Sequence, residues 1–560
     1  MDRRHFLRNS LLAIAAERLS HQAARVFAQE QKEQKNQKEA TPLDPWKPGY
    51  LEIHQIATNR GNSALLILPD GTTMMVDAGA LYGTTPYLSD VRPSSERRPG
   101  EWIGRYAQRR LQSASLEGID VFMLTHLHAD HVGGVPPNST PNADGYTSTG
   151  VSDVASIVPI RRFVDRAGPD YSYPAPLTLD FQQNYRAFLQ ARQKAGTKVE
   201  RFRVGARDQF QLLHAAASYP SFEVRNLAAN GEVWTGQGEQ TKKLFPDLAT
   251  LKEADYPSEN CCSAAIRLRY GRFGYYTGGD LPCDTNYGRD PWRDIETPVA
   301  QVCGPVSVAV TDHHGYFNAD GPEYVRALRP QVFVIPAWDS AHPTVNTLNT
   351  LFSKAIYPGP RDVFATLVKE ENRIANKKTD DLRSRNGHVV VRVDPGGSTF
   401  RVHVLSNEDE TDRVTALTRI SFRLIKPVVY SRWTMGKHVS TFLLLLATLT
   451  ASSGAATARW FQVSTPNFKV LTDSNEKQAR RIAGQFEQMR ALFHVLLPNT
   501  KDDAGAPIVV LALKDRKSFQ SLEPAPYLAK GQLDLAGVFL SAPDKNYILL
   551  RLDAQGEQIG

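Results

Sequence analysis

The segment Thr125-His126-Leu127-His128-Ala129-Asp130-His131 sets three imidazoles and a carboxylate within six residues. Groups crowded in this way repel one another or waste their burial unless a cation organises them, and mixed nitrogen and oxygen donors suit a divalent metal. The preceding run GIDVFMLT, Gly118 to Thr125, reads as a buried strand. Alternation along it aims His126 and His128 to one side, and the turn that follows lets Asp130 and His131 face a second ion. Other apolar runs also end in groups of this kind: Asp77 in Val76-Asp77-Ala78-Gly79, Asp165 after IRRFV, Asp280 in Thr277-Gly278-Gly279-Asp280, and His313-His314-Gly315 after VSVAVTD. Two divalent ions about 3.5–4 Å apart would acidify a shared water and supply hydroxide near neutral pH without a strong protein base.

Strands must carry these groups. From Tyr50, LEIHQIA, SALLILP and TTMMVDAG are short apolar runs separated by turn signals and read as consecutive hairpin strands. Arg97 to Leu111 has helical spacing, and strands then alternate with helices to about Ser406. The pair GHVVVRVDPGGSTFRVHVL closes the unit, turning at Pro395-Gly396-Gly397. Chemistry therefore falls at strand ends.

Over residues 48–406 the sequence resembles the metallo-β-lactamase-fold hydrolases, on Val76-Asp77-Ala78-Gly79, the His126/His128/Asp130/His131 cluster, Thr277-Gly278-Gly279-Asp280 and His313-His314-Gly315. The resemblance implies an α/β class protein, an αβ/βα sandwich with one or two ions at one edge, zinc first and Mn2+ or Fe as alternatives. It implies that His126 and His128 bind one ion, Asp130 and His131 the other, that Asp280 bridges them, and that His314 completes the second site. His313 is then a substrate or second-layer contact, and Asp77 a supporting residue. The sequence departs from the family at the third ligand of the first site. His214 is the sole histidine in the relevant interval but lies in an Ala-rich stretch, QLLHAAASYP; Asp165 is the better-placed oxygen ligand, and water is the remaining alternative. One ion alone is compatible with this set.

A narrower resemblance joins T-G-G-D, H-H-G, Asn260, Ser263 and Ala341-His342-Pro343 to the hydrolase domain of the DNA-uptake competence channel protein and to secreted phosphocholine esterases. It implies phosphodiester substrates, either small molecules or nucleic acid, attacked by a metal-bound hydroxide. In that scheme Asp130, His313 and His342 are catalytic. His342 protonates the leaving group, and His313 or Arg166 neutralises developing charge. An ester, lactone or β-lactam hydrolase shares every ligand, and a non-catalytic metal-binding protein is the reading from another class.

At 560 residues the chain is longer than one ordinary domain, and 41% hydrophobic with 22% charged residues excludes a mainly disordered, collagenous or polytopic membrane protein. The net charge of +7 is a modest excess. Four cysteines without a CxxC pair exclude a disulfide-stapled scaffold. Residues 1–28 resemble a twin-arginine export signal through Arg3, Arg4, Phe6 and Leu7, which implies contact with that export machinery and a periplasmic or secreted location; no stable protein partner is expected. Residues 29–47 read as a polar linker, 407–434 as linker or read-through, and 435–458 as a second signal-like segment whose apolar core falls short of the roughly 20 residues of a membrane span. We therefore expect two joined reading frames. Residues 459–560 form a small α+β fragment in this reading. It resembles the start of secreted zinc-peptidase proteins, without their H-E-x-x-H motif.

Overall fold

In the computed structural model, described for residues 41–421 apart from 86 and 287 and for 460–496, 508–522, 537–541 and 546–553, the chain divides into two compact units. The first is built on alternation. Leu66, Met74 and Val76 face one core, whereas Leu65, Ile67 and Met75 between them face another, as a strand buried on both sides requires.

Nine strands form the first sheet: β1 Leu51–Gln55, β2 Ala64–Ile67, β3 Thr73–Val76, β4 Val121–Met123, β5 Arg162–Asp165, β6 Lys198–Arg201, β15 His388–Val393, β16 Thr399–Leu405 and β17 Val414–Ser421. Their order is β17-β16-β15-β1-β2-β3-β4-β5-β6. The second sheet holds β7 Phe222–Ala229, β8 Glu232–Trp234, β9 Thr241–Lys243, β10 Ala265–Tyr270, β11 Phe273–Thr277, β12 Val308–Val310, β13 Val332–Ile335 and β14 Asp362–Ala365, in the order β14-β13-β12-β11-β10-β7-β8-β9. Each sheet is half antiparallel and half parallel: β3 to β6 run parallel in the first, β11 to β14 in the second.

One apolar core fills the space between the sheets. A second joins the outer face of the first sheet to the helices Pro99–Ser113, Gly150–Ile157 and Asp180–Lys194, and a third joins the outer face of the second sheet to Glu296–Cys303, Pro322–Leu328 and Val345–Phe352. The layering is the expected αβ/βα sandwich. In such sheets the loops at the carboxyl ends of parallel strands are where ligands bind.

Two boundaries differ from expectation. β17 pairs with β16 along its whole length, so the sheet runs past residue 406 to Ser421. The residues before it, Glu408, Glu410 and Asp412, pair with Arg92, Arg105 and Arg109; these charges, which look like linker in sequence, tie a hairpin to a helix. At the other end Leu43 and Trp46 are buried and Pro42 bridges Arg413, so the end of the expected polar linker is built into the fold.

The second unit has its own mixed sheet, in the order β18-β19-β20-β22-β21, from β18 Phe461–Ser464, β19 Phe468–Thr472, β20 Ile508–Leu513, β21 Gly537–Ser541 and β22 Asn546–Arg551. The helix Glu476–Leu496 covers it through Ala479, Ile482 and Ala483. The two signal-like segments lie outside the described residues. Among the described residues no helix is long and apolar enough to cross a membrane.

Candidate metal centre

The carboxyl ends of β3, β4, β11 and β12 deliver Asp77, the His126–His131 loop, Asp280 and the His313-His314 pair to one edge. Close backbone approach makes this possible. A Cβ on Gly79 would stand 1.8 Å from the Asp130 carbonyl oxygen, and Gly279, at φ +63, would press one within 2.8 Å of Thr125 Cβ. Ala264 N–H donates to Thr125 O (2.9 Å), joining the two sheets at the site.

Two donor sets share Asp280. His126, His128 and Asp280 form the first, and Asp130, His131, His314 and Asp280 the second. On the Oδ1 side, His131 Nε2 is 3.1 Å from Asp280 Oδ1, 3.2 Å from His314 Nε2 and 3.6 Å from Asp130 Oδ2, while His314 Nε2 lies 2.9 Å from Asp130 Oδ2. On the Oδ2 side, His126 Nε2 is 3.6 Å from Asp280 Oδ2 and 3.1 Å from His128 Nδ1. Two donors on one tetrahedral ion with bonds near 2.1 Å stand about 3.4 Å apart, so these are ligand-to-ligand separations.

The outer nitrogens are already committed. His131 Nδ1 donates to Asp77 Oδ2 (2.7 Å), His314 Nδ1 to the Pro336 carbonyl (3.0 Å), and His126 Nδ1 faces Thr125 Oγ1 (3.2 Å). A carboxylate and a carbonyl only accept, so His131 and His314 each carry a proton on Nδ1, and in the neutral form that a metal ligand takes they turn bare Nε2 atoms towards each other. That arrangement is repulsive without a cation between them and is the usual support of a metal-bound histidine. Asp280 Oδ1 is buried and accepts no well-formed hydrogen bond. The residues fit a metal.

The electrostatics make the same demand. Burial pulls the His131 imidazolium down, yet Asp280, Asp130 and Asp77 outweigh it and lift its pKa well above the usual histidine value. Burial would raise Asp280, but His131 and His314 hold it well below the carboxylate range. At His126 and His342 the balance reverses: burial first, then neighbouring imidazoles, outweigh the carboxylates and drive both well below the ordinary value.

Asp77 is the supporting residue expected of it. Besides holding His131 it accepts from Thr125 N–H (2.8 Å), Thr125 Oγ1–H (2.8 Å) and Asn62 Nδ2 (2.9 Å). Asp165 is not a ligand: its oxygens accept from Ala167 N, Gly168 N, Tyr171 Oη and Tyr185 Oη, which uses the carboxylate up inside the fold. His214 is 54% exposed, beside Asp120 and away from both donor sets. Arg166 does not reach a substrate. It is fully buried against Glu259, Tyr173 O and Asn230 Oδ1. His342 is buried and stacked on His314 at 5.1 Å, with Trp338 and Tyr316 edge-on to it, and its Nδ1 has no partner. Sequence reasoning missed Glu259, whose Oε1 accepts from Leu127 N–H (2.7 Å) between the two histidines, and the aromatic wall of Trp338, Tyr316 and the exposed Phe317. Neither had a spacing signal.

Residues 57–137, which contain the histidine cluster, match the sequence model of the family described as Metallo-beta-lactamase superfamily. Over those residues the chain is similar to that superfamily. That stretch holds His126, His128, Asp130 and His131, four of the donors described above. No curated protein matches the sequence. Among solved structures, a mutant of the CmlA beta-hydroxylase is similar at 14% identity over 62% of this chain and 54% of that one, with a TM-score of 0.31; the chain thus spans about half of that protein's length. A diphosphatase of the PhnP family is similar at 11% identity, over 51% of this chain and 85% of that one (TM-score 0.24). The short form of human tRNase Z is similar at 10% identity, over 50% and 91% (TM-score 0.22).

Proposed function

We propose that residues 41–421 form a metal-dependent hydrolase that holds one or two divalent ions, zinc first and manganese or iron as alternatives, and cleaves phosphodiester bonds. The observation that carries this reading is that Asp280 offers Oδ1 to one donor set and Oδ2 to another. Ions bound there supply Lewis acidity and an ionised water near neutral pH. The chain does the positioning. Asp77, Thr125 and Pro336 hold the imidazoles by their Nδ1 atoms. Asp130, partly exposed and with Oδ2 2.9 Å from His314 Nε2, orients the attacking water. His342, Trp338 and Tyr316 keep solvent from the His314 side, and Phe317, 58% exposed, offers an apolar rim to the leaving group.

The preference for phosphodiesters is supported by the T-G-G-D, H-H-G and A-H-P resemblance, and two similar solved structures are titled as a diphosphatase and a tRNase Z. The test is purified protein assayed with a bis-aryl phosphodiester, a chromogenic cephalosporin and an aryl ester, alongside its metal content. Phosphodiester turnover lost in His128→Ala supports the reading; turnover of the cephalosporin or ester alone moves it to another substrate class. We propose further that Arg3 and Arg4 direct twin-arginine export to the periplasm or beyond. Export that persists with both changed to Lys overturns that. A clean open reading frame in the DNA around codons 407–435, confirmed by an intact mass covering all 560 residues, would exclude the expected joining of two frames.

A further inference from the structure

Charge is distributed one-sidedly around the metal edge. Six segments leave β3, β4, β5, β11, β12 and β13 at their carboxyl ends: residues 77–91, 124–160, 166–185, 278–290, 311–325 and 336–353. The chain has 66 lysines and arginines, yet these segments hold two, Arg166 and Arg289. Arg166 is fully buried on Glu259, and Arg289 stands in sequence between Asp284 and Asp290. Cations at the margins are engaged within the chain: Arg60 donates to Gly83 O, Lys369 to Leu88 O, and Arg98 binds Asp153.

The acids of these segments are placed differently. Asp90, Asp144, Asp170 and Asp284 are exposed, and none of the four makes an ion pair among the described residues. Two of them sit on segments tied directly to the donor loops. Cys283 N–H donates to Asn318 O, joining the Asp284 segment to the one that carries His313 and His314, and Gly134 N–H donates to Ala80 O where the Asp144 segment leaves the histidine loop. The field around the site is therefore negative.

Apolar side chains surface in the same place. Of the seven large apolar side chains exposed among the described residues of the first unit, four lie on these segments: Tyr87, Leu179, Phe317 and Val345. Hydrogen bonds set their segments beside the centre: Ser340 N–H donates to Tyr87 O, Thr344 N–H to Gly315 O, and Gln182 Nε2 to Leu127 O.

A surface that holds nucleic acid neutralises successive phosphates with lysine and arginine, and a ring of carboxylates works against it by repelling the polyanion before contact. One negative charge has a place here, among the donors of the two sets and beside His313, whose Nε2 is 3.7 Å from Asp280 Oδ2. Every further one would face carboxylates.

We propose that the substrate is a small phosphodiester whose single negative charge is that of the scissile phosphate, with an apolar group beside it, and that nucleic acid is rejected. This rests on the hydrolase reading above. Hydrolysis joins a water oxygen to phosphorus, breaks the bond to one ester oxygen and gives the leaving alcohol a proton from that water. The experiment follows p-nitrophenol release by the full-length protein, supplied with zinc, from p-nitrophenyl phenyl phosphate and from p-nitrophenyl 4-carboxyphenyl phosphate. These share the scissile bond and differ by one remote negative charge. In about 0.01 M salt, where charges act over about 30 Å, kcat/KM should be about 10-fold lower for the carboxyphenyl ester, and the gap should close in about 1 M salt, where they act over about 3 Å. Decathymidylate should not compete at the roughly 1–100 μM at which non-specific nucleic-acid binders act. Asp144→Lys combined with Asp284→Lys should narrow the gap to about threefold and leave turnover of the phenyl ester within about twofold. Equal kcat/KM for the two esters at low salt, a gap that the double variant leaves intact, or micromolar competition by decathymidylate that weakens with salt would each overturn the proposal and leave a phosphodiesterase standing. Turnover of neither ester would overturn it together with the phosphodiester reading beneath it.

Discussion

Two clusters of buried charge, one on the nine-stranded sheet and one where its strand ends meet those of the eight-stranded sheet, are built differently. In the first, Glu52 is enclosed by His54 (2.9 Å), Arg392 (2.6 Å) and Arg110 (3.9 Å), and the other His54 nitrogen meets Tyr106 Oη at 2.9 Å. Each charge there finds an opposite charge in the chain, with Arg110 Nε alone of its named groups lacking a hydrogen-bond partner. At the strand ends, His131 and His314 in their neutral forms point bare nitrogens at each other, and Asp280 Oδ1 lacks a well-formed hydrogen bond. Burial alone therefore does not mark a functional cluster; whether the donors and acceptors close among themselves does. The Glu52 cluster holds β1, β15 and the helix Pro99–Ser113 together, whereas the Asp280 cluster is completed from outside the chain.

That contrast can be broken experimentally. The largest effect is expected for Asp280→Ala, which removes the group common to both donor sets: hydrolysis should fall by about 1,000-fold or more and both ions should be lost, with the fold retained by circular dichroism. Glu52→Ala should do the opposite, lowering stability in urea by about 3–5 kcal/mol by leaving buried cations unpaired, with zinc stoichiometry unchanged at temperatures where the protein stays folded. Asp77→Ala lies between, since it frees His131 without removing a ligand; zinc affinity should drop about 10–100-fold by calorimetry.

A smaller effect is expected from acid. His388, buried against Tyr106 and accepting from Ala57 N–H (2.9 Å), is pushed down to about 3 by burial and then by Arg109 and His54. Its unfolded value is near 6.5, so as pH falls the unfolded chain takes the proton first. Its contribution is whole above that pH and is lost at up to about 1.4 kcal/mol per unit towards 3. His388→Asn should flatten urea stability between pH 6.5 and 4. The smallest effect is reserved for His214→Ala, at an exposed site: stability within about 0.5 kcal/mol and unchanged zinc binding, where a lost ion would restore His214 as a ligand.

The sequence displayed the site better than its supports. Strand ends, the histidine spacing and the role of Asp77 were readable because short apolar runs and local spacing are local properties. The vacancy in the first site was readable too, but not what lies near it: Asp165 looks like a ligand until Tyr171 and Tyr185 are seen to surround it. Arg166 looks like a substrate cation until Glu259, 93 residues away in sequence, is seen to take it. Both answers depend on contacts between distant segments. The strand Val414–Ser421 was hidden because its charged approach resembles a linker, and β6, β8 and β9 are short or exposed.

Glu259 bears on how ions would come and go. It grips the amide between His126 and His128 with one oxygen and shares its charge with a fully buried arginine. The histidine loop is thus moored to the opposite sheet by the chain itself, independently of any ion. Exchange of one metal for another then needs only entry of the ion and release of protons from its ligands, with no segment to refold, and its rate should follow the pH of the medium more closely than the stability of the protein.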